Sequence, residues 1–231
     1  MSNITFALYF GNRGFFPETL IAAAREELAA AVKAQGYGVL LPDASLTRYG
    51  AVETAEEGRA YARFLAEHRG QYQGVLLCLP NFGDENGAIA ALQDCGVPIL
   101  IMAYPDEAGK MDFAHRRDAF CGKFSIMDVF YQYGLPFTAW TPHTLHPASP
   151  LFARQLQDFA AVCRVVGGMR RVTVGAIGAR TTAFKTVRFD ELALQRHGIA
   201  VEALDLTELI IRMEKLDAAS PAVRARRDEL L

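Results

Sequence analysis

Charge of one sign, paired cysteines and long apolar runs are all scarce in this 231-residue chain, and each scarcity removes a class of function. Lysine plus arginine total 24 against 26 aspartates and glutamates, a formal net charge of −2. No basic field exists to hold a phosphate backbone, so a nucleic-acid partner is not expected. Cys78, Cys95, Cys121 and Cys163 never reach CxxC spacing, which argues against a disulfide scaffold. Cys78 and Cys163 stand in apolar stretches and read as core thiols. The first apolar run, ITFALYF (4–10), stops at Gly11 with no basic segment before it, too short for a signal peptide or a membrane span. A cytoplasmic protein with no membrane partner is expected.

What the chain has in quantity is apolar side chain, 51% of residues against 22% charged, the balance of a folded globular protein. Short apolar runs alternate with longer amphipathic segments, the pattern of parallel strands joined by crossover helices. ITFALYF (4–10), GVLLP (38–42), GVLLCLP (74–80), PILIMAYP (98–105) and PFTAWTP (136–142) read as five strands. Helices are expected over 18–35, stopping at Gly36; after Thr54, with Glu57 at capping-box spacing and Ala60, Phe64 and Leu65 on the apolar face; over DENGAIAALQDCG; over about 116–133; and over about 149–166. Strands so uniformly apolar are covered on both faces, so the expected fold is α/β, a flavodoxin-like doubly wound parallel sheet over residues 1–168. After Gly167-Gly168 the pattern restarts with RVTVGAIG (171–178), a helix over about 183–197, the strand IAVEALDL and a helix from Thr207. Residues 169–231 therefore read as the beginning of a second, Rossmann-like α/β domain, apparently truncated, because two β/α units make a marginal core.

Ligands of open α/β sheets bind beyond the carboxyl ends of the strands. GNRGFFP (11–17) puts Asn12, Arg13 and two aromatic rings after the first strand, where Arg13 either forks onto ligand oxygens or is a surface arginine in a turn. PNFGDENG (80–87) crowds Asn81, Phe82, Asp84 and Glu85 after the third; Asp84 reads first as the N-cap of the next helix, with Glu85 favoured by the helix dipole, and then as a ligand contact. TPHTLHP (141–147) holds His143 and His146, a weak metal spacing without a third ligand. The mixed charges from Asp106 to Asp118 read as a solvated face. GAIGAR (175–180), followed by Thr181-Thr182, is a glycine-rich turn that matches no phosphate-binding motif in full.

The blocks GNRGFFP, LPNFGDENG, YPDEAGKMDFAHRRDAFCGKFS, YQYGLPFT, FAAVCRVV and VGAIGARTTAFKTVRFDELALQRHGI together resemble, in order, the N-terminal portion of the L-fucose/L-arabinose isomerase-like family. The resemblance implies aldose–ketose isomerisation through an ene-diol. It implies Mn²⁺ held by Glu, Asp and His side chains beyond Leu231, so that no residue of this chain is a catalytic group or metal ligand and the chain alone is inactive. It implies a homo-oligomer, trimer or hexamer, with sites shared between subunits. It further implies that Arg13 holds the sugar's hydroxyls and Phe82 packs on the sugar, with Asn12, Asp84 and His143 as other candidates for the same pocket. Phe82 stands where the fucose enzyme has tryptophan, and His115 stands where a small amide is expected. The alternatives are a stand-alone sugar-binding or regulatory module and a subunit-assembly domain, the latter suited to the aromatic YQYGLPFTAW segment.

Overall fold

The computed structural model describes residues 4–180 and 182–230. Residues 1–3 of the amino-terminal segment and Thr181 of the glycine-rich turn lie outside them. The chain divides after Gly167 into two compact units.

In the first unit, β1 (Thr5–Phe10), β2 (Gly38–Leu40), β3 (Gly74–Leu79) and β4 (Ile99–Ala103) form one parallel sheet in the order β2-β1-β3-β4. Phe6 is paired with Val39 on one side and Gly74 on the other, and Val75 with Ile99. β3 and β4 are buried at every position, because strand side chains alternate between faces and both faces are covered. Ala7, Tyr9, Val75, Leu77, Ile99 and Ile101 meet α2 (Ala55–Glu67), α3 (Glu85–Leu92) and α4 (Ala119–Gln132). Phe6, Leu8, Leu76, Cys78, Leu100 and Met102 meet α1 (Thr19–Ala34) and α5 (Pro150–Met169). The fold is thus a doubly wound α/β sheet, and the core thiols Cys78 and Cys163 belong to the second of these clusters.

Local chemistry sets the helix ends. Gly36 (φ 78°) returns its N–H to the Lys33 carbonyl at 2.9 Å and stops α1. Thr54 caps α2 by accepting from the Glu57 N–H at 3.2 Å, while the Glu57 carboxylate takes the N–H groups of Glu53 and Arg48, both at 2.7 Å, instead of closing the reciprocal capping box. The buried stripe of α2 is Gly58, Tyr61 and Leu65, with Phe64 half-buried beside it.

Two elements depart from the sequence pattern. The expected fifth strand, 136–142, is not a strand. Thr138 and Thr144 form isolated parallel bridges to Leu100 and Ala103, and the chain bows out between them. Pro136 and Pro142 bring no N–H to a ladder, so the place beside β4 is held by an irregular segment. The expected helix over 183–197 shrinks to α6 (Glu191–Arg196), preceded by a single 3₁₀ turn, Lys185–Val187.

The second unit pairs β5 (Val172–Ile177) with β6 (Ile199–Leu204) in parallel, followed by α7 (Leu206–Glu214) and α8 (Pro221–Leu230). Gly175 lies inside β5, so only Gly178, at φ 76°, serves the turn after it. Among its described residues none is buried. No helix of the described residues is long and apolar enough to cross a membrane.

Candidate functional site

β1 and β3 are neighbours from which the strand order runs in opposite directions, and the crevice beyond their carboxyl ends is where such sheets bind ligands. Three loops meet there. The segment after β1 continues the ladder, with Gly11 N–H bonded to the Cys78 carbonyl at 3.0 Å and Asn12 N–H to Val52 at 3.0 Å. A Cβ at Gly11 would stand 2.8 Å from the buried Leu79 side chain, which would have to shift to admit it.

Asn12 and Asn81 are fully buried and tie the loops together. Asn81 donates its amide to the Asn12 carbonyl oxygen, Asn12 donates to the Glu53 carboxylate, and Asn81 Oδ1 lies 3.4 Å from the Gly83 N–H. Burial pushes the Glu53 carboxyl pKa up, against the Asn12 hydrogen bond that favours its ionised form. Asn12 therefore holds the loops in register from beneath the crevice.

Arg13 crosses above this chain. Its Nε donates to the Gly83 carbonyl at 3.0 Å and its Nη2 to Glu85, while Asp84 stands 4.0 Å away. Glu85 also accepts from the Ser125 hydroxyl of α4. Among the described residues Nη1 has no hydrogen-bond partner, and the side chain keeps 29% of its surface exposed. The guanidinium lies 4.6 Å over the half-buried Phe82 ring, Phe82 stacks on Phe16 at 5.6 Å, and Arg116 covers Phe16 at 5.4 Å. Phe15, 61% exposed, tilts against Phe16 at 4.7 Å.

Asp84 is the N-cap of α3, accepting from the Gly87 N–H at 2.7 Å, so its capping reading holds while it also faces Arg13. Arg13, Phe82 and Asp84 thus come together, with Asn12 below them. His143 is placed against α4 instead, its ring 4.8 Å from Phe124 and 6.1 Å from Phe120, with Nδ1 buried and, among the described residues, without a hydrogen-bond partner. His146 turns the other way, to Tyr104 and to Glu27 at 3.4 Å, so the two histidines do not converge. Among the described residues no group of three or more His, Cys, Asp or Glu side chains could hold a metal ion. These residues do not fit a manganese site.

The charged run after β4 is more than a solvated face. Arg117 donates to the Pro80 carbonyl at 2.9 Å and lies over Tyr104 at 4.9 Å, and Asp106 accepts the N–H groups of Arg117 and Asp118. His115 stays outside this framework, exposed and paired with Asp112 at 2.8 Å. Lys123, 2% exposed, donates to the His143 carbonyl at 3.0 Å, and burial pushes its pKa down to about 8. Sequence reasoning passed over Lys123, Glu53 and Ser125. Lys123 had a signal: with Ala119, Gly122, Ile126 and Phe130 it falls on the buried stripe of α4, where a lysine is out of place. Glu53 and Ser125 carry none that spacing reveals.

Residues 7–170 of the chain match the family model described as the N-terminal domain of fucose/sulfoquinovose isomerase, over two thirds of the sequence. No curated protein matches it.

Proposed function

This chain belongs to the fucose/sulfoquinovose isomerase family, and from that premise we propose that its first unit supplies the sugar-gripping wall of an aldose–ketose isomerase. The observation that carries the reading is Arg13, whose Nη1 is unbonded beside the half-buried Phe82 ring at the crevice. A guanidinium edge donates to sugar hydroxyls, and an aromatic face packs on sugar C–H groups. Glu85 and the Gly83 carbonyl hold Arg13 in place, which spares the ligand the cost of ordering a long side chain. Asp84 completes the wall as an acceptor for a sugar hydroxyl.

By the family resemblance, proton transfer and manganese ligation are assigned to residues beyond Leu231, so the 231-residue chain by itself is proposed to be inactive. The site is proposed to close against a second copy in a trimer or hexamer, in the cytoplasm. The catalytic and oligomeric parts rest on the family, and the location on the short, uncharged start of the sequence.

The test is Arg13→Ala in the native protein that carries this sequence. Loss of one charged hydrogen bond to substrate lowers kcat/KM by about 1.5–3 kcal/mol, or roughly 10- to 150-fold. Unchanged kcat/KM for 6-deoxyhexose isomerisation, followed by NMR of the C1 proton, removes Arg13 from the sugar site.

A further inference from the structure

We infer that the crevice beyond β1 and β3 selects an uncharged sugar and discriminates against one carrying a sulfonate or phosphate; this rests on the sugar-isomerase reading above. The two features there that attract anions are already occupied by the chain's own carboxylates. The first is Arg13, which is bonded to Glu85 and has Asp84 at 4.0 Å. One positive charge thus faces two negative ones. The second is the N-terminus of α3, whose N–H groups would suit an oxyanion. Asp84 caps it through Gly87 at 2.7 Å, and Glu85 fills its first turn.

The neighbouring cations are committed as well. Arg116 pairs with Asp118, Arg117 donates to the Pro80 carbonyl, and Lys123 is buried on the His143 carbonyl. A sulfonate entering here would break a charge-assisted pair or sit beside two carboxylates that are only one-fifth exposed and so poorly screened. A vicinal diol meets no such conflict. Its oxygens accept from Arg13 Nη1, and its hydroxyls donate to the outer lone pairs of Asp84 and Glu85. The Phe82 face takes the C–H side of the same ligand.

The experiment uses two sugars that differ at one group, 6-deoxyglucose and its 6-sulfonate, with the native protein. Binding is read by calorimetry and isomerisation separately by NMR. The neutral sugar should bind at least tenfold tighter, and because the two carboxylates are mostly buried the gap should persist in added salt. Glu85→Gln and Asp84→Asn should each narrow it several-fold; the second keeps an N-cap side chain and so tests the idea even where the first perturbs folding. Equal or tighter binding of the sulfonate, a gap that neither variant changes, or no binding of either sugar overturns the inference. Tight binding of the neutral sugar without isomerisation supports the inference and overturns the isomerase reading instead.

Discussion

An ammonium group placed among apolar side chains costs several kcal/mol unless its donors are met, and Lys123 meets that cost with one backbone carbonyl. The consequence is a pH signature. Burial puts the folded pKa at about 8, below the ordinary lysine value that the unfolded chain keeps. Below pH 8 both states are protonated and the folded state carries the full penalty. As pH rises from 8 towards 10.5 the unfolded state holds more protons, and the penalty fades. Relative to Lys123→Met, the natural protein should therefore gain roughly 2–4 kcal/mol of stability between pH 7.5 and 10.5, measured by urea unfolding at each pH. A difference independent of pH would mean that Lys123 is hydrated in the folded state. At this scale the sequence was informative about which residue types gather after each strand, because loop position follows from the run of strands and helices. It was silent on partners. Nothing in GNRGFFP or PNFGDENG says that Arg13 spends two of its nitrogens on Gly83 and Glu85, or that Asn12 is buried, because those contacts join residues about 70 apart.

Helix α4 and the loop after β3 touch through glycine. A Cβ at Gly122 would lie 1.7 Å from the Phe82 carbonyl oxygen, a backbone atom that cannot swing aside. Gly122→Ala is expected to destabilise the first unit by about 1–3 kcal/mol and to weaken sugar binding by moving Phe82. Gly167→Ala is the contrast within α5, with nothing within 4 Å of its Cβ, and should stabilise by about 0.5–1 kcal/mol. Thermal unfolding of the two variants checks both signs; a neutral Gly122→Ala would mean that the loop does not rest on α4. Elements with clean periodicity were legible to within a few residues, as in α1, β3 and α5. The segment 136–142 was not, because its apolar composition imitates a strand while its prolines withhold the N–H groups a ladder needs. Nor was the stretch 183–190, where apolar residues recur without the hydrogen-bonding caps that would start a helix before Asp190.

The two units differ in what they bury. The first holds two apolar clusters, one on each face of its sheet. The second exposes Val174, Ile177, Leu204, Ile210 and Met213, each by 46% or more, and a two-stranded parallel sheet has too little core to stand alone. Residues 1–167 expressed alone should keep a melting temperature within about 3 °C of the main transition of the whole chain, the one that belongs to the unit with the core. Limited proteolysis of the 231-residue chain should remove 168–231 first. Resistance of that stretch to protease would mean that it has a core of its own. The division near Gly167-Gly168 was visible in the sequence as a restart of the strand–helix rhythm, whereas the absence of burial beyond it needed coordinates.

The stacking of Phe6 on Phe159, 5.6 Å apart, joins one end of the first unit to the other. On the ribosome that contact waits for α5. At roughly 5–20 residues per second the nascent chain needs about 8–30 s to reach α5, and until then α1 alone shares this face of the sheet with Phe6, Leu8 and Phe10. Half of that cover therefore arrives last, and slower translation would lengthen the interval during which the face is incompletely packed.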